Sequence, residues 1–204
     1  MKMIIAFTGA GVSKESGIDT FQDRPGIRDY LTREFAEINP KKFREVMKEF
    51  IETVKGKEPN DAHKALADYG VPIITMNVDM LHEDAGSEYV LKVHGRLPSE
   101  EELSFCEKLR GVPVLYGDAA PNYRKAFNWV DILGPEDVLL VIGASEYTLF
   151  SSQIRQAAYF NGVEVYEIQD NAGIKVRKYL ENNIDKLVGM DKLKNEISKM
   201  NVNI

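Results

Sequence analysis

Short, continuous runs of apolar residues recur along this chain, and helical patterns lie between most of them. A strand made of a continuous apolar run is buried on both faces, as in a parallel sheet that helices cover on each side. The chain is therefore predicted to be an α/β protein with an open parallel sheet of about six strands. The predicted strands are residues 3–7, 71–76, 89–93, 112–116, 138–142 and 163–168.

Helix-start signals mark several segments between these runs. Asn60 precedes an Ala- and Leu-rich stretch as an N-cap, and Gly70 stands where that helix would end. Ser99 and Glu102 have the spacing of a capping box, which predicts a short helix after them. Residues 41–54 carry a helical apolar stripe and are predicted to form a small lobe between the first and second strands.

The composition favours one globular domain. Of the 204 residues, 44% are hydrophobic and 28% are charged, which is enough to bury a core. The formal net charge of −6 argues against nucleic acid or an anionic membrane as a partner, and a basic peptide suits it better. No apolar stretch reaches membrane-spanning length and no secretory leader pattern opens the sequence, so we expect a cytoplasmic protein.

Small or polar residues follow three of the predicted strands. Residues 9–11 are Gly-Ala-Gly, Asn77 and Asp79 follow the second strand, and residues 143–145 are Gly-Ala-Ser. Ligands of open α/β sheets bind outside the carboxyl ends of the strands. A glycine pair alone fits a phosphate-binding turn and a tight packing turn about equally well, but three such strand ends together predict a nucleotide site.

These segments resemble the sirtuin family. GAGVSKESGIDTF is similar to the family's first signature and TMNVDMLHEDAGS to its second, while LKVHG resembles the segment with the catalytic histidine. GVPVLYGDAAP is similar to the substrate strand and loop, VLLVIGAS to a loop that contacts NAD, and EPNDAHKAL to a family helix. The matches run in family order over most of the chain. The resemblance implies a Rossmann-like fold and an NAD-dependent protein lysine deacylase.

The resemblance also implies the organisation of the chain. A single sirtuin-like catalytic domain would span residues 1–204, with a Rossmann-like core at 1–27 and 61–204. A small helical lobe would occupy residues from about 28 to about 60.

The same resemblance assigns roles to individual residues. NAD, as co-substrate, would be bound by residues spread over the strand-end loops: Gly9, Ala10, Gly11, Ser13, Gly17, Phe21, Asn77, Asp79, Gly143, Ala144, Ser145 and Gln169. An acyl-lysine protein or peptide would be bound by Val114, Tyr116, Gly117 and Asp118. The acyl oxygen would attack the ribose carbon as nicotinamide leaves. His94 would then be the general base, acting with Asn77 and Asp79, because a histidine pKa lies near neutrality.

The chain departs from the family in its zinc module. Most sirtuins carry two cysteine pairs after the catalytic histidine, whereas the segment between His94 and Gly111 contains only Cys106. One cysteine cannot build a tetrahedral thiolate site, so we expect no zinc. A shortened segment at about residues 96–110, which includes the predicted capping box, would replace the module.

Other departures lie in the site itself. Thr20 and Gln22 stand where the family has Asp and Arg beside the nicotinamide, and Arg24 or Arg28 is a candidate to supply the missing charge. Met76 replaces a Gln and removes a hydrogen-bonding side chain. NAD binding tolerates these changes better than efficient deacylation does.

Structural interpretations remain open for several of these residues. His63 and His82 fit packing or loop-ordering roles better than catalysis, and Asp79 could cap a turn. Phe21 could be plain core, and Tyr116 and Asp118 could shape a turn. The functional alternatives are an NAD glycohydrolase, an ADP-ribosyltransferase, or a binding module for NAD or ADP-ribose without turnover.

Overall fold

The computed structural model describes residues 3–19, 26–183 and 190–202. Five parallel strands form one sheet in the order β3-β2-β1-β4-β5. The strands are β1 (Ile4–Thr8), β2 (Ile73–Thr75), β3 (Val90–Lys92), β4 (Val138–Ile142) and β5 (Glu164–Ile168). The predicted α/β class and parallel sheet are therefore confirmed, and β1 and β4 are buried along their whole length as their continuous apolar runs require.

The predicted strand at residues 112–116 is not part of the sheet. Its backbone bonds go to two different segments, because the Val114 amide donates to the His94 carbonyl and the Tyr116 amide donates to the Leu31 carbonyl. Tyr116 forms only an isolated bridge, with Thr32. An apolar run joins a sheet only where a neighbouring strand pairs with it over several successive residues, and here the amides of Val114 and Tyr116 meet different segments.

Helices join and cover the strands. The helices are α1 (Arg33–Ile38), α2 (Pro40–Val54), α3 (Asp61–Asp68), α4 (Leu81–Asp84), α5 (Pro121–Val130), α6 (Leu149–Phe160), α7 (Ala172–Glu181) and α8 (Met190–Val202), with 3-10 helices at Ala10–Ser16, Ile27–Leu31 and Glu102–Lys108. No helix in the described part of the chain is both long and apolar enough to span a membrane.

The two predicted helix starts are confirmed. The Asn60 side chain accepts hydrogen bonds from the amides of Ala62 and His63 at the start of α3. The capping box also forms, since the Ser99 amide donates to the Glu102 carboxylate at 2.8 Å and the Glu102 amide donates to the Ser99 hydroxyl at 3.2 Å. The helix that follows the box is a 3-10 helix.

The direction of the crossovers sets the position of the site. β1 leads through α3 to β2 on one side, whereas β4 leads through α6 to β5 on the other. Right-handed crossovers in opposite directions place α3 and α6 on opposite faces of the sheet, where α3 packs on α7 and α6 on α5. β1 and β4 are neighbours whose last residues, Thr8 and Ile142, lie side by side. The crevice between their carboxyl ends is a topological switch point, where open α/β sheets bind ligands.

A second, smaller core lies away from the sheet. It joins α1, α2 and the 3-10 helix at Glu102–Lys108, and its buried residues are Ala36, Phe43, Val46, Met47, Cys106 and Leu115. The predicted lobe and the short segment after His94 therefore share one core. Cys106 is one of its apolar packing groups, and burial raises the pKa of its thiol.

Candidate active site

The loops after β1 and β4 contact each other directly. The Gly9 amide donates to the Ile142 carbonyl at 3.0 Å, and the Gly11 amide donates to the Gly143 carbonyl at 2.9 Å. A Cβ atom at Gly11 would lie 2.6 Å from the Gly143 Cα, closer than real Cβ atoms approach. The glycine pair therefore serves the close approach of the two loops, as the packing interpretation holds, and its two amides already have acceptors within the protein.

Ser13, Asn77 and Asp79 form a hydrogen-bonded cluster beside these loops. The Asn77 side-chain amide donates to the Ser13 hydroxyl at 3.1 Å, and that hydroxyl donates to Asp79 Oδ2 at 3.1 Å. All three residues are buried. The other carboxylate oxygen, Asp79 Oδ1, accepts from the Leu81 amide at 3.1 Å. Asp79 thus caps the turn before α4 and also faces Ser13, so the capping interpretation and the binding interpretation are both compatible with its position.

His94 follows β3 and uses both ring nitrogens. Its Nδ1 donates to the Met76 carbonyl at 3.0 Å, because a carbonyl oxygen can only accept, and its Nε2 lies 2.9 Å from the Tyr123 hydroxyl. Burial lowers the pKa of His94, and the hydrogen bond to Met76 opposes that shift in part. The imidazole is therefore neutral at pH 7, with Nε2 as the basic atom. This protonation state is the one that a general base requires.

A chain of buried hydroxyls connects the strand ends below the cluster. The Thr8 and Thr75 hydroxyls are 2.8 Å apart, and Thr8 Oγ1 lies 3.0 Å from His82 Nε2. Thr75 Oγ1 also accepts from the Asn77 amide at 3.0 Å. The His82 side chain thus contacts the end of β1 through Thr8, which is a structural contact; its predicted role in ordering the loop through a backbone hydrogen bond stays a prediction.

His63 is also structural. Its Nδ1 accepts from the Asn60 amide at 3.3 Å to complete the capping box of α3, and its ring packs 4.7 Å from the His82 ring between centroids. Burial lowers the pKa of His63 from 6.5 to about 4. Burial also lowers the pKa of His82 well below its usual range, with smaller effects from His63 and Lys92.

These depressed values predict that stability falls in mild acid. Between the unfolded pKa of 6.5 and the folded pKa of about 4, the unfolded chain binds the proton at His63 and the folded protein does not. The free energy of unfolding is therefore fully retained above pH 6.5 and should decrease by about 3 kcal/mol from His63 alone as the pH falls through this window. Urea denaturation between pH 7.5 and pH 4.5 measures the decrease. A free energy of unfolding that stays constant from pH 6.5 to pH 5 would contradict this assignment.

The candidate substrate segment has one inward-facing carboxylate. Asp118 binds Arg33 with both oxygens, at 2.8 Å to Nε and 2.7 Å to Nη2, and its Oδ2 accepts from the Leu115 amide. It therefore shapes the turn, which contains Gly117 at a φ of 94°. The Tyr116 side chain is 58% exposed, and the neighbouring Gly117 is also exposed.

The remaining residues implied by the resemblance lie around the loop after β4, at the end of the 3-10 helix after β1, or outside the described residues. Gln169 donates to the Ala144 carbonyl at 3.2 Å, and the Ser145 hydroxyl accepts from the Tyr147 amide at 3.2 Å. Gly17 ends the 3-10 helix that contains Ala10 and Ser13, with a φ of 76°. Thr20, Phe21, Gln22 and Arg24 fall outside the described residues. Within residues 3–19, 26–183 and 190–202, no group of three or more His, Cys, Asp or Glu side chains is arranged to hold a metal ion.

Three contributions to the site were not predicted from the sequence. They are the Tyr123 hydroxyl on His94, the Met76 carbonyl on His94, and the Arg33 guanidinium that also donates to the Leu109 carbonyl. The Met76 contact uses the backbone, so the loss of a Gln side chain at this position does not affect it. The residue type gave no signal for any of the three contacts.

The switch-point crevice carries two loops of small residues. A buried amide and a buried carboxylate lie near it, together with a neutral histidine. These features define a nucleotide-binding α/β protein of the Rossmann-like class. Comparison with known proteins identifies the family within this class. The model of the Sir2 family matches residues 9–108. An NAD-dependent protein deacylase of Thermococcus sibiricus is 33% identical over 84% of this chain and 78% of its own. The chain belongs to the Sir2 family.

Other relatives and solved structures agree with this membership. An NAD-dependent protein deacetylase of Bacillus cereus is 34% identical over 71% of this chain and 72% of its own. A Sir2 homologue mutant solved with ADP-ribose superposes with a TM-score of 0.77 at 26% identity, covering 91% of this chain and 93% of that one. A Sir2 homolog solved with NAD superposes with a TM-score of 0.75 at 25% identity, covering 91% of each chain.

Proposed function

We propose that this protein is an NAD-dependent protein lysine deacylase with His94 as its general base. The observation that carries the proposal is the neutral His94 imidazole, held by the Met76 carbonyl at the carboxyl edge of the sheet of a Sir2-family chain. The named activities of the relatives from Thermococcus sibiricus and Bacillus cereus support the choice of reaction.

The residues at the switch point fit NAD chemically. Asn77 and Ser13 offer an amide and a hydroxyl to a ribose, and the loop at residues 143–145 would lie along the phosphates. The Asp79 carboxylate is buried, and its bonds run to a hydroxyl and an amide. A buried negative charge with neutral partners complements a cationic nicotinamide ring. When bound, NAD supplies an electrophilic ribose carbon with nicotinamide as its leaving group.

The protein's own groups then move the proton. His94 Nε2 is the atom that becomes protonated when a substrate hydroxyl loses its proton, and the resulting imidazolium is stabilised by the Nδ1 hydrogen bond to the Met76 carbonyl. That bond also fixes the ring and its tautomer before the reaction, so no reorientation is needed.

An acyl-lysine protein or peptide is the proposed partner. Val114, Tyr116 and Gly117 would contact it, with Asp118 holding the turn through Arg33. The net charge of −6 supports a basic peptide and gives no support to nucleic acid or an anionic membrane as a partner. The proposal includes a cytoplasmic location and a single catalytic domain, in which the lobe shares the second core with the segment after His94.

Incubation with NAD and an acetyl-lysine peptide tests the function. Nicotinamide release is followed with the mass of the peptide, and the same peptide without the acetyl group is the matched control. We expect release that depends on the acetyl group, with one deacylated peptide formed for each nicotinamide. Release without any peptide would identify an NAD glycohydrolase, and a mass gain on a protein or peptide would identify an ADP-ribosyltransferase. A rise in melting temperature with NAD but no turnover would identify a binding module.

A further inference from the structure

The basic nitrogen of His94 is capped by a phenol. Because Nδ1 gives its hydrogen to the Met76 carbonyl, Nε2 of the neutral ring has only a lone pair, and the Tyr123 hydroxyl 2.9 Å away must donate to it. A substrate hydroxyl that approaches His94 Nε2 therefore contacts the Tyr123 oxygen first, because the Tyr123 hydroxyl occupies the lone pair of Nε2.

The Tyr123 ring is held firmly in this position. It lies in the first turn of α5 and packs on Phe150, with the ring centroids 4.1 Å apart. Its neighbour Asn122 donates to the Lys92 carbonyl at 2.8 Å, which ties the start of α5 to the end of β3, two residues before His94. Burial raises the pKa of Tyr123, with a smaller contribution from Tyr116, so the phenol stays protonated. Packing on Phe150 and the position in α5 therefore hold the Tyr123 hydroxyl against His94. A hydroxyl held there is suited to transferring a proton to His94, not to leaving when substrate binds.

We propose that Tyr123 relays a proton to His94 during the reaction, an inference that rests on the proposed function. The substrate O–H bond breaks, and its proton forms a new O–H bond with the Tyr123 oxygen. In the same step the original Tyr123 proton moves to His94 Nε2. The electron pair stays on the substrate oxygen, and the positive charge is on the imidazolium, whose Nδ1–H remains bonded to the Met76 carbonyl. The proton returns by the reverse path when His94 acts as an acid.

Tyr123→Phe tests the relay, because it removes one oxygen and keeps the ring on Phe150. The relay predicts that kcat for deacylation falls about 100-fold or more, while the NAD-dependent rise in melting temperature is unchanged. Tyr159→Phe is the matched control, since Tyr159 is 77% exposed on α6, and it should behave like the wild type. If Tyr123 merely blocks the base, Tyr123→Phe would instead be as active as the wild type or more active, and the relay would be wrong.

An NMR titration of the free protein gives a second test that needs no turnover. The Tyr123 hydroxyl stabilises the neutral ring of His94, so Tyr123→Phe should raise the pKa of His94, and the acid limb of the activity profile should shift to higher pH with it. An unchanged pKa of His94 would overturn the proposal even in an active deacylase. If Tyr123→Phe raises the pKa of His94 but the wild-type protein does not deacylate the peptide, the proposed function is wrong, and the relay that rests on it is wrong too.

Discussion

His94→Ala is expected to lower acetyl-dependent nicotinamide release and deacylation by at least about 100-fold, the lower end of the range for loss of a general base. The substitution removes the imidazole whose basic nitrogen, Nε2, lies 2.9 Å from the Tyr123 hydroxyl. The Ser13, Asn77 and Asp79 cluster has no hydrogen bond to the His94 side chain. Binding of NAD should therefore survive the substitution.

The two effects are measured separately. Steady-state rates report the loss of the base, and the NAD-dependent shift in melting temperature reports binding to the folded protein. If His94→Ala turns over at the rate of the wild type, His94 is not the base. If the NAD-dependent shift in melting temperature disappears as well, the substitution has damaged the site, and the loss of rate says nothing about proton transfer. In that case His94→Gln, which keeps a polar side chain, is the variant to compare with the wild type.

The parts of the fold that sequence predicts are those set by local signals. Runs rich in apolar residues located the five strands of the described sheet, although β5 carries two glutamates and is largely exposed, and the caps at Asn60 and Ser99 identified two helix starts. The run at 112–116 has the same local pattern, yet it is not a strand of the sheet, because no neighbouring segment pairs with it over successive residues. Local sequence carries no information about which neighbour will accept its hydrogen bonds.

The candidate site also has a part that the sequence predicts and a part that it does not. The loops that carry Ser13, Asn77 and Asp79 were predictable, because residues after adjacent parallel strands meet at one edge of the sheet. The Tyr123 contact with His94 joins residues 29 apart, and the Arg33 contact with Asp118 joins residues 85 apart. Both depend on how a helix packs against another segment, so neither follows from residue type or spacing.

The Arg33–Asp118 ion pair is the buried link between the lobe and the substrate segment. The side chains are 10% and 3% exposed, and the two short bonds lie in one bidentate contact. Asp118→Asn would leave the Arg33 charge buried with neutral carbonyl acceptors, including that of Leu109. We expect the free energy of unfolding to fall by about 3–5 kcal/mol, the range for breaking one partner of a buried pair.

Urea denaturation measures this loss, and two further variants define its cause. Asp68→Asn makes the same change in the exposed Arg177–Asp68 pair, whose side chains are 36% and 59% exposed, and should cost less than about 1 kcal/mol. Arg33→Met combined with Asp118→Leu removes both charges and should cost less than Asp118→Asn alone, because no unpaired charge is left in the interior. A loss below about 1 kcal/mol for Asp118→Asn would mean that water reaches the guanidinium.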